Sequence, residues 1–143
     1  MSKKITVLYA EDNEHDVLAT ERAWHKNKIE NDLIIVRDGE ECIDYLYHRG
    51  KYSDADLHPW PALLLLDLNM PKLDGLGVLK ILFEDKVRDP LSIVVLTTSD
   101  LDEDKIASYN YGVKNYIRKP VGFGNFSEAI KTINLYWALV EAE

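Results

Sequence analysis

The sequence lacks several features that direct proteins to particular folds or compartments. It has one cysteine, Cys42, in 143 residues, so no disulfide can form within the chain. Because no paired Cys or His motif surrounds Cys42, we expect it to be buried in a helix or interface rather than to carry chemistry. No apolar run approaches the ~18 residues of a membrane span, and the start MSKKITVLY has no signal-peptide pattern. These absences predict a cytoplasmic protein with no membrane partner.

Basic residues are also scarce. Lys and Arg number 17 against 25 Asp and Glu, which gives a formal net charge of −8. Nucleic-acid binding depends mostly on neutralising phosphates with Lys and Arg, so we expect no direct nucleic-acid partner. The length of 143 residues suits a single domain, 1–143.

Short apolar runs alternate with longer segments that have helical spacing. The predicted strands are 5–10, 33–36, 62–66, 93–96 and 115–117. The predicted helices are 14–27, 39–49, 75–84, a short one from about 102 to Gly112, and a last one that begins near Asn125. Alternation of this kind predicts an α/β fold with a doubly wound parallel sheet. Five strands favour the flavodoxin-like (βα)5 arrangement with strand order 2-1-3-4-5.

Local signals set the expected ends of the first two helices. Asn13 is a candidate cap for the first helix, and this helix should bury three residues, Val17, Leu18 and Trp24. Asp38, with Glu41 three residues later, forms a capping-box-like start for the second helix. Gly50 is the expected end of that helix.

Carboxylates follow two of the predicted strands. Glu11 and Asp12 come directly after the first strand, and Asp67 ends the apolar run ALLLL of the third. In the predicted order these two strands meet at the switch point, where ligands of open α/β sheets bind. Like charges so close need a counter-ion, and hard oxygen ligands suit Mg²⁺ or Mn²⁺. A solvated helix start would explain Asp12 equally well, so the prediction of a metal site depends mainly on Asp67.

Two further strand ends add polar side chains to the same edge of the sheet. Thr97 ends the fourth strand in VVLTTSD, and Lys119 ends the fifth in NYIRKPV. A carboxylate nucleophile, a cation, an ammonium group and a hydroxyl donor together suit phosphoryl transfer.

These motifs, in this order, resemble the receiver domain of two-component response regulators, the CheY-like family. The resemblance covers the whole chain and rests on YAEDNE, LLLLDLNMPKLDG, VVLTTS, GVKNYIRKP and the final amphipathic helix. It implies that Asp67 accepts a phosphoryl group from a sensor histidine kinase. It also implies that Asp12, Asp67 and the backbone carbonyl of Asn69 hold Mg²⁺, with Mn²⁺ as a substitute, and that Glu11 acts through water.

The resemblance assigns a switch to the remaining positions. Thr97 and Tyr116 would point away from Asp67 in the inactive state; Thr97 would then move toward the phosphoryl group and Lys119 would pair with it. Thr98 is a second candidate hydroxyl, although the spacing favours Thr97. Three residues are implied to shape the backbone: Pro120 through a cis peptide bond after Lys119, and Pro71 and Gly75 in the loop after Asp67.

A narrower resemblance links the chain to stand-alone regulators that are paired with phytochromes. It rests on DYLYHRGKY, HPWPALLLLDLNMP, VVLTTSDLDEDKIASY, NYIRKPVGFGNF and INLYW. It implies a receiver without an output domain, with a phytochrome as a possible kinase and a downstream protein as target. The loop 51–61 is then either a partner surface or a connection with Trp60 packed on the domain.

The last helix carries more apolar residues than one stripe needs, namely Tyr136, Trp137, Leu139 and Val140. We therefore expect a homodimer through the fourth helix, the fifth strand and the fifth helix. The alternative is that Trp137 packs on the core of its own domain.

Three other functions compete with this interpretation. A phosphatase of the haloacid-dehalogenase type needs a second Asp two residues after the nucleophile as general acid, and Asn69 stands there. A flavin or nucleotide binder needs a Gly- or Ser/Thr-rich first loop, where this chain has AEDNEHD. A phosphorylation-independent interaction or dimerisation domain would lack Asp67, Thr97 or Lys119. We therefore expect a switch, and not an enzyme beyond slow self-phosphorylation and self-dephosphorylation.

Overall fold

The computed structural model describes residues 6–26, 31–86 and 91–118. Lys119, Pro120 and the predicted last helix lie outside the described residues, as do the apolar residues of that helix. Five parallel strands form one sheet: β1 (Thr6–Ala10), β2 (Asp32–Val36), β3 (Leu63–Leu66), β4 (Ser92–Thr97) and β5 (Asn115–Arg118). Their order is β2-β1-β3-β4-β5, which confirms the predicted topology.

Four helices connect the strands in the described part of the chain: α1 (Glu14–Lys26), α2 (Gly39–Leu46), α3 (Gly75–Glu84) and α4 (Asp102–Asn110). No helix among residues 6–26, 31–86 and 91–118 is long and apolar enough to cross a membrane.

The central strand β3 is apolar on both faces because both faces are covered. Its four leucines are 0% exposed. Leu64 and Leu66 join a core cluster that includes residues of α2 and α3, whereas Leu63 and Leu65 join a second cluster with Trp24 of α1. Alternate side chains of a strand point to opposite faces, so β3 anchors two cores. At about 1.5–3 kcal/mol for each fully buried leucine side chain, this strand is a principal source of stability.

Register places the site-bearing ends of β1 and β3 side by side. Ala10 pairs with Leu66 on one side and with Val36 on the other. The hydrogen bonding continues one residue further: the Glu11 amide donates to the Val36 carbonyl at 2.9 Å, and the Asp67 amide donates to the Ala10 carbonyl at 3.1 Å. Glu11 and Asp67 are therefore fixed by the sheet itself, as extensions of its strands.

Two local predictions were wrong. Leu18 is 41% exposed, because the buried positions of α1 are Val17, Thr20, Ala23 and Trp24, and Leu18 lies outside that stripe. Helix α2 ends at Leu46, four residues before Gly50. The chain turns at His48, which has φ of 53°; the amides of His48 and Arg49 donate back to the carbonyls of Tyr45 and Asp44, the pattern in which glycine is the usual residue.

Gly50 instead begins a short 3-10 helix, Gly50–Tyr52. This turn opens the loop 51–61 and folds it back against α2. Trp60 packs against the main core cluster, as in the second interpretation of that loop. Cys42 is 0% exposed, as predicted, and burial raises the pKa of its thiol to about 12.

Candidate functional site

Three carboxylates meet beyond the ends of β1 and β3. Glu11, Asp12 and Asp67 each offer an oxygen within 4.8 Å of the other two. Glu11 is 0% and Asp67 4% exposed, whereas Asp12 is exposed to solvent. Two buried negative charges this close repel unless a cation is shared, and three hard oxygen donors with one open side suit a divalent ion that keeps some of its water. The donor set therefore fits the metal that the sequence predicts.

The carboxylate of Asp67 is held by the strand next to it. Its Oδ1 accepts a hydrogen bond from the Thr97 hydroxyl at 2.8 Å and another from the Asn69 amide at 3.0 Å. Thr97 is 0% exposed, whereas Thr98 is exposed. Spacing was the correct guide to the hydroxyl that faces the site. Of the two expected arrangements of Thr97, the structure has the one directed toward Asp67.

The carboxylate of Glu11 accepts a hydrogen bond from a residue that the sequence interpretation missed. The Tyr9 hydroxyl donates to Glu11 Oε1 at 3.2 Å, and the Asn13 amide donates to Glu11 Oε2 at 3.2 Å. Tyr9 is 0% exposed. Residues two apart on a strand share a face, so the phenol two positions before Glu11 was the available signal.

The loop after Asp67 is short and tightly tied. The Gly75 amide donates to the Leu68 carbonyl at 3.0 Å, which closes the segment that contains Pro71. Gly75 is the first residue of α3, where the predicted helix 75–84 begins, and it ends the loop that follows Asp67. A Cβ there would overlap the Asp67 carbonyl oxygen and lie 2.7 Å from Leu68 Cα, so close backbone approach is what requires glycine.

Tyr116 is linked to the site through Ser99. Its hydroxyl donates to the Ser99 carbonyl at 3.0 Å, and the Ser99 amide donates to Thr97 Oγ1 at 3.3 Å. Burial raises the pKa of Tyr116, so its hydroxyl remains a donor at neutral pH. Thr97 and Tyr116 are thus both hydrogen-bonded to the backbone of Ser99, and their coupled movement stays a prediction.

Comparisons with known proteins identify the class. The sequence model of the response regulator receiver domain matches residues 7–131. The chain therefore belongs to the response-regulator receiver family of two-component systems, whose members are signalling proteins rather than conventional enzymes.

Within this family the chain is similar to phytochrome response regulators. Response regulator Rcp1 of Synechocystis sp. is 34% identical over 131 residues, which are 92% of this chain and 87% of Rcp1. The crystal structure of the phosphorylated cyanobacterial phytochrome response regulator RcpA has 32% identity and a TM-score of 0.86, with 95% of both chains covered. The Mn²⁺-bound form of Rcp1 has 33% identity and a TM-score of 0.82, with 93% of this chain and 94% of Rcp1 covered.

Proposed function

We propose that this receiver accepts a phosphoryl group on Asp67 from a sensor histidine kinase, and that the modification switches a protein-binding surface. Asp67 is buried beside two further carboxylates, and its Oδ1 accepts hydrogen bonds from Thr97 and from the Asn69 amide. This convergence on one carboxylate is the observation that carries the proposal. The relatives support it, since one of them is a phosphorylated response regulator.

The transfer is a substitution at phosphorus. An oxygen of Asp67 forms the new bond to phosphorus, and the bond from phosphorus to the kinase histidine breaks, with its electron pair returning to the imidazole. Thr97 is placed to donate to a phosphoryl oxygen, since it already donates to Asp67. Lys119 would pair with the added charge.

Asp12, Asp67 and the carbonyl of Asn69 would hold Mg²⁺, or Mn²⁺ as in the relative Rcp1, with Glu11 acting through water. The ion would supply neutralisation of the phosphoryl oxygens. The buried position of Glu11, with both its oxygens already accepting hydrogen bonds, supports its more distant role.

The proposed partners follow from the relatives and from the surface. A phytochrome is the proposed kinase class, because the similar regulators are phytochrome response regulators. The proposed output is binding to a downstream protein, because a receiver of this family is a signalling protein. A homodimer through α4, β5 and the predicted last helix is supported by the exposed Leu101, Ile106 and Tyr109 of the α4 region. Sedimentation that shows only monomer, with and without phosphorylation, would rule this dimer out.

The experiment is the intact mass of the protein after incubation with acetyl phosphate, in Mg²⁺ and in EDTA. We expect the gain of one phosphoryl unit in Mg²⁺, little in EDTA, and none in Asp67→Asn. The matched control is Asp56→Asn, which changes an exposed carboxylate outside the acidic cluster and should retain the gain. A wild type that gains no mass would favour the phosphorylation-independent interaction domain instead.

A further inference from the structure

The turn between β2 and α2 carries none of the residues assigned above, yet it contacts both loops that do. We name residues 37–39 the bridging turn. It follows Val36, the last residue of β2, and includes Gly39, the first residue of α2. The β1–α1 loop, with Glu11 and Asp12, is its neighbour in the sheet order β2-β1-β3. The β3–α3 loop, which follows Asp67 and Asn69, reaches it at Leu73.

An ion pair and a backbone hydrogen bond connect the bridging turn, and the residue before it, to the segment that contains the β1–α1 loop and the start of α1. Arg37 Nη1 lies 2.5 Å from Oε2 of Glu14, the first residue of α1. The residue before the bridging turn, Val36, accepts the Glu11 amide at 2.9 Å. Both Arg37 and Glu14 are substantially exposed, so their ion pair alone contributes little, and the backbone bond is the firmer of the two links.

Its contact with the β3–α3 loop is closer, because backbone meets backbone. A Cβ on Gly39 would overlap the Leu73 carbonyl oxygen, and it would lie 2.6 Å from the Leu73 carbonyl carbon and 2.8 Å from Leu73 Cβ. Real Cβ atoms do not approach other atoms so closely. Only glycine lets the start of α2 and the loop lie at their observed separation.

A second link joins the same two segments. Asp38 caps α2, with Oδ1 accepting from the Glu41 amide at 2.7 Å. Its other oxygen, Oδ2, lies 3.7 Å from Lys72 Nζ. Lys72 has φ of 66°, a conformation that costs an L-residue roughly 1–2 kcal/mol. The strained residue of the loop is therefore one that pairs with the bridging turn, and it is next in the chain to Leu73.

The loop has little freedom to absorb a displacement at Leu73. One of its ends is fixed by the hydrogen bond from the Asn69 amide to Asp67 Oδ1, and the other by the bond from the Gly75 amide to the Leu68 carbonyl. We expect a shift of Leu73 to be transmitted to the backbone that carries Asn69 and to the carboxylate of Asp67. The distance between these groups and Asp12 would change, and with it the fit of the oxygen donors around a cation.

We propose that the bridging turn sets the separation of the two carboxylate loops and thereby the affinity for the divalent ion, with Gly39 as the main positioning residue. The inference rests on the proposed function, because it concerns the metal site of that function. It gives a physical role to a turn that touches neither phosphoryl group nor metal.

The test is Mn²⁺ binding, measured by isothermal titration calorimetry on wild type, Gly39→Ala and Gly77→Ala. Gly77 is the matched control, since a Cβ there would meet the same Leu73 but at Cδ1, the end of a flexible side chain. We expect Gly39→Ala to weaken Mn²⁺ binding by about tenfold or more, the usual effect of losing a group that positions metal ligands, and Gly77→Ala to bind within about twofold of wild type. Equal affinity in folded Gly39→Ala, with only its melting temperature lowered, would overturn the inference.

A second measurement does not depend on any variant being folded. Hydrogen exchange of the wild type is measured with and without Mn²⁺. We expect the Cys42 amide, which donates to the Asp38 carbonyl at 3.0 Å, to exchange more slowly when Mn²⁺ is bound, although neither residue is a proposed ligand. Unchanged exchange there, while residues 11–13 and 67–69 respond, would also overturn it. Phosphorylation by acetyl phosphate separates the two ideas: a wild type that binds Mn²⁺ but gains no mass removes the proposed function and leaves the positioning role standing.

Discussion

Helices α2 and α4 both connect strands of the same sheet, but they differ greatly in how many of their residues are buried. Five of the eight residues of α2 are buried, against one of nine in α4, namely Ser108. Moreover, the hydroxyl of Ser108 has no hydrogen-bond partner among the described residues. Elements with few buried contacts open and shift at low free-energy cost. The comparison indicates that α2 is a fixed support for the site, whereas α4 is the element that can be repositioned.

Helix α4 is nevertheless connected to the site by hydrogen bonds. The Ser99 hydroxyl donates to Asp104, in the first turn of α4, at 2.5 Å. The amide of the same Ser99 donates to Thr97, and its carbonyl accepts from Tyr116. A change at Asp67 therefore has a short route, through Thr97 and Ser99, to α4, the less buried of these two helices. Because α2 is well buried and α4 is not, a conformational response to phosphorylation would move α4 and leave α2 in place.

The comparison is tested most directly by truncating one apolar side chain in each helix. Leu46 of α2 is 3% exposed and Ile106 of α4 is 62% exposed. We expect Leu46→Ala to lower the free energy of unfolding by about 2–5 kcal/mol, and Ile106→Ala to change it by less than about 0.5 kcal/mol. Urea unfolding followed by circular dichroism measures both. Similar losses in the two variants would show that α4 is packed more firmly than its burial indicates.

Two glycines sharpen the same contrast. At Gly75 a Cβ would collide with the backbone of Asp67 and Leu68, whereas at Gly112, after α4, a Cβ has nothing within 4 Å and only the φ of 89° is unfavourable. We expect Gly75→Ala to cost about 3 kcal/mol, as overpacking against backbone does, and Gly112→Ala about 1 kcal/mol, the cost of a left-handed residue. Thermal unfolding of the two variants in parallel gives the ranking. A larger destabilisation in Gly112→Ala than in Gly75→Ala would mean that the loop after Asp67 can shift to accommodate a Cβ at little cost.

At Ser108 of α4, whose hydroxyl has no hydrogen-bond partner among the described residues, we expect a substitution to increase the stability of the protein and not to lower it. Because a buried donor without a partner costs about 1–3 kcal/mol, we expect Ser108→Ala to raise the free energy of unfolding by about 1 kcal/mol. The matched control is Thr20→Val in α1, where the buried hydroxyl donates to the Asp16 carbonyl at 2.8 Å and its loss should destabilise. A destabilised Ser108→Ala in urea unfolding would indicate that the hydroxyl does have a partner.

Much of this structure could be predicted from the sequence because the signals are local. The apolar runs and their spacing gave the strand order, and the rule that ligands bind beyond strand ends brought Glu11, Asp12 and Asp67 together. The failures are of another kind. The predicted end of α2 was wrong because His48 takes a backbone conformation that is usually found at glycine. The contact of Gly39 with Leu73 was missed because the two residues are far apart in the chain, and no local sequence pattern reports such a contact.

The smallest expected effect concerns how the start of α2 is held. Glu41 accepts hydrogen bonds from the Arg37 amide at 2.6 Å and from the Tyr52 hydroxyl at 2.7 Å, and Lys51 Nζ lies 2.8 Å from it. Burial raises the pKa of Glu41, but the hydrogen bonds from Lys51, Tyr52 and Arg37 outweigh burial, and the net pKa lies below the ordinary value of 4.5. Since the folded state favours the ionised form, this stabilisation is present above pH 4.5 and is lost as the pH falls through the lower, folded-state value.

We therefore expect wild type to be more stable than Glu41→Gln at neutral pH, and the difference to shrink as the pH falls below 4.5 and through the folded-state pKa. The effect should be modest, because the side chain of Lys51 is 71% exposed and its charge is screened. Urea unfolding across an acid-to-neutral series measures the difference, with Glu40→Gln, a neighbouring exposed carboxylate, as the control. A difference that stays constant with pH would mean that Glu41 stabilises α2 through packing and not through its charge, and the contrast with α4 would then rest on apolar burial alone.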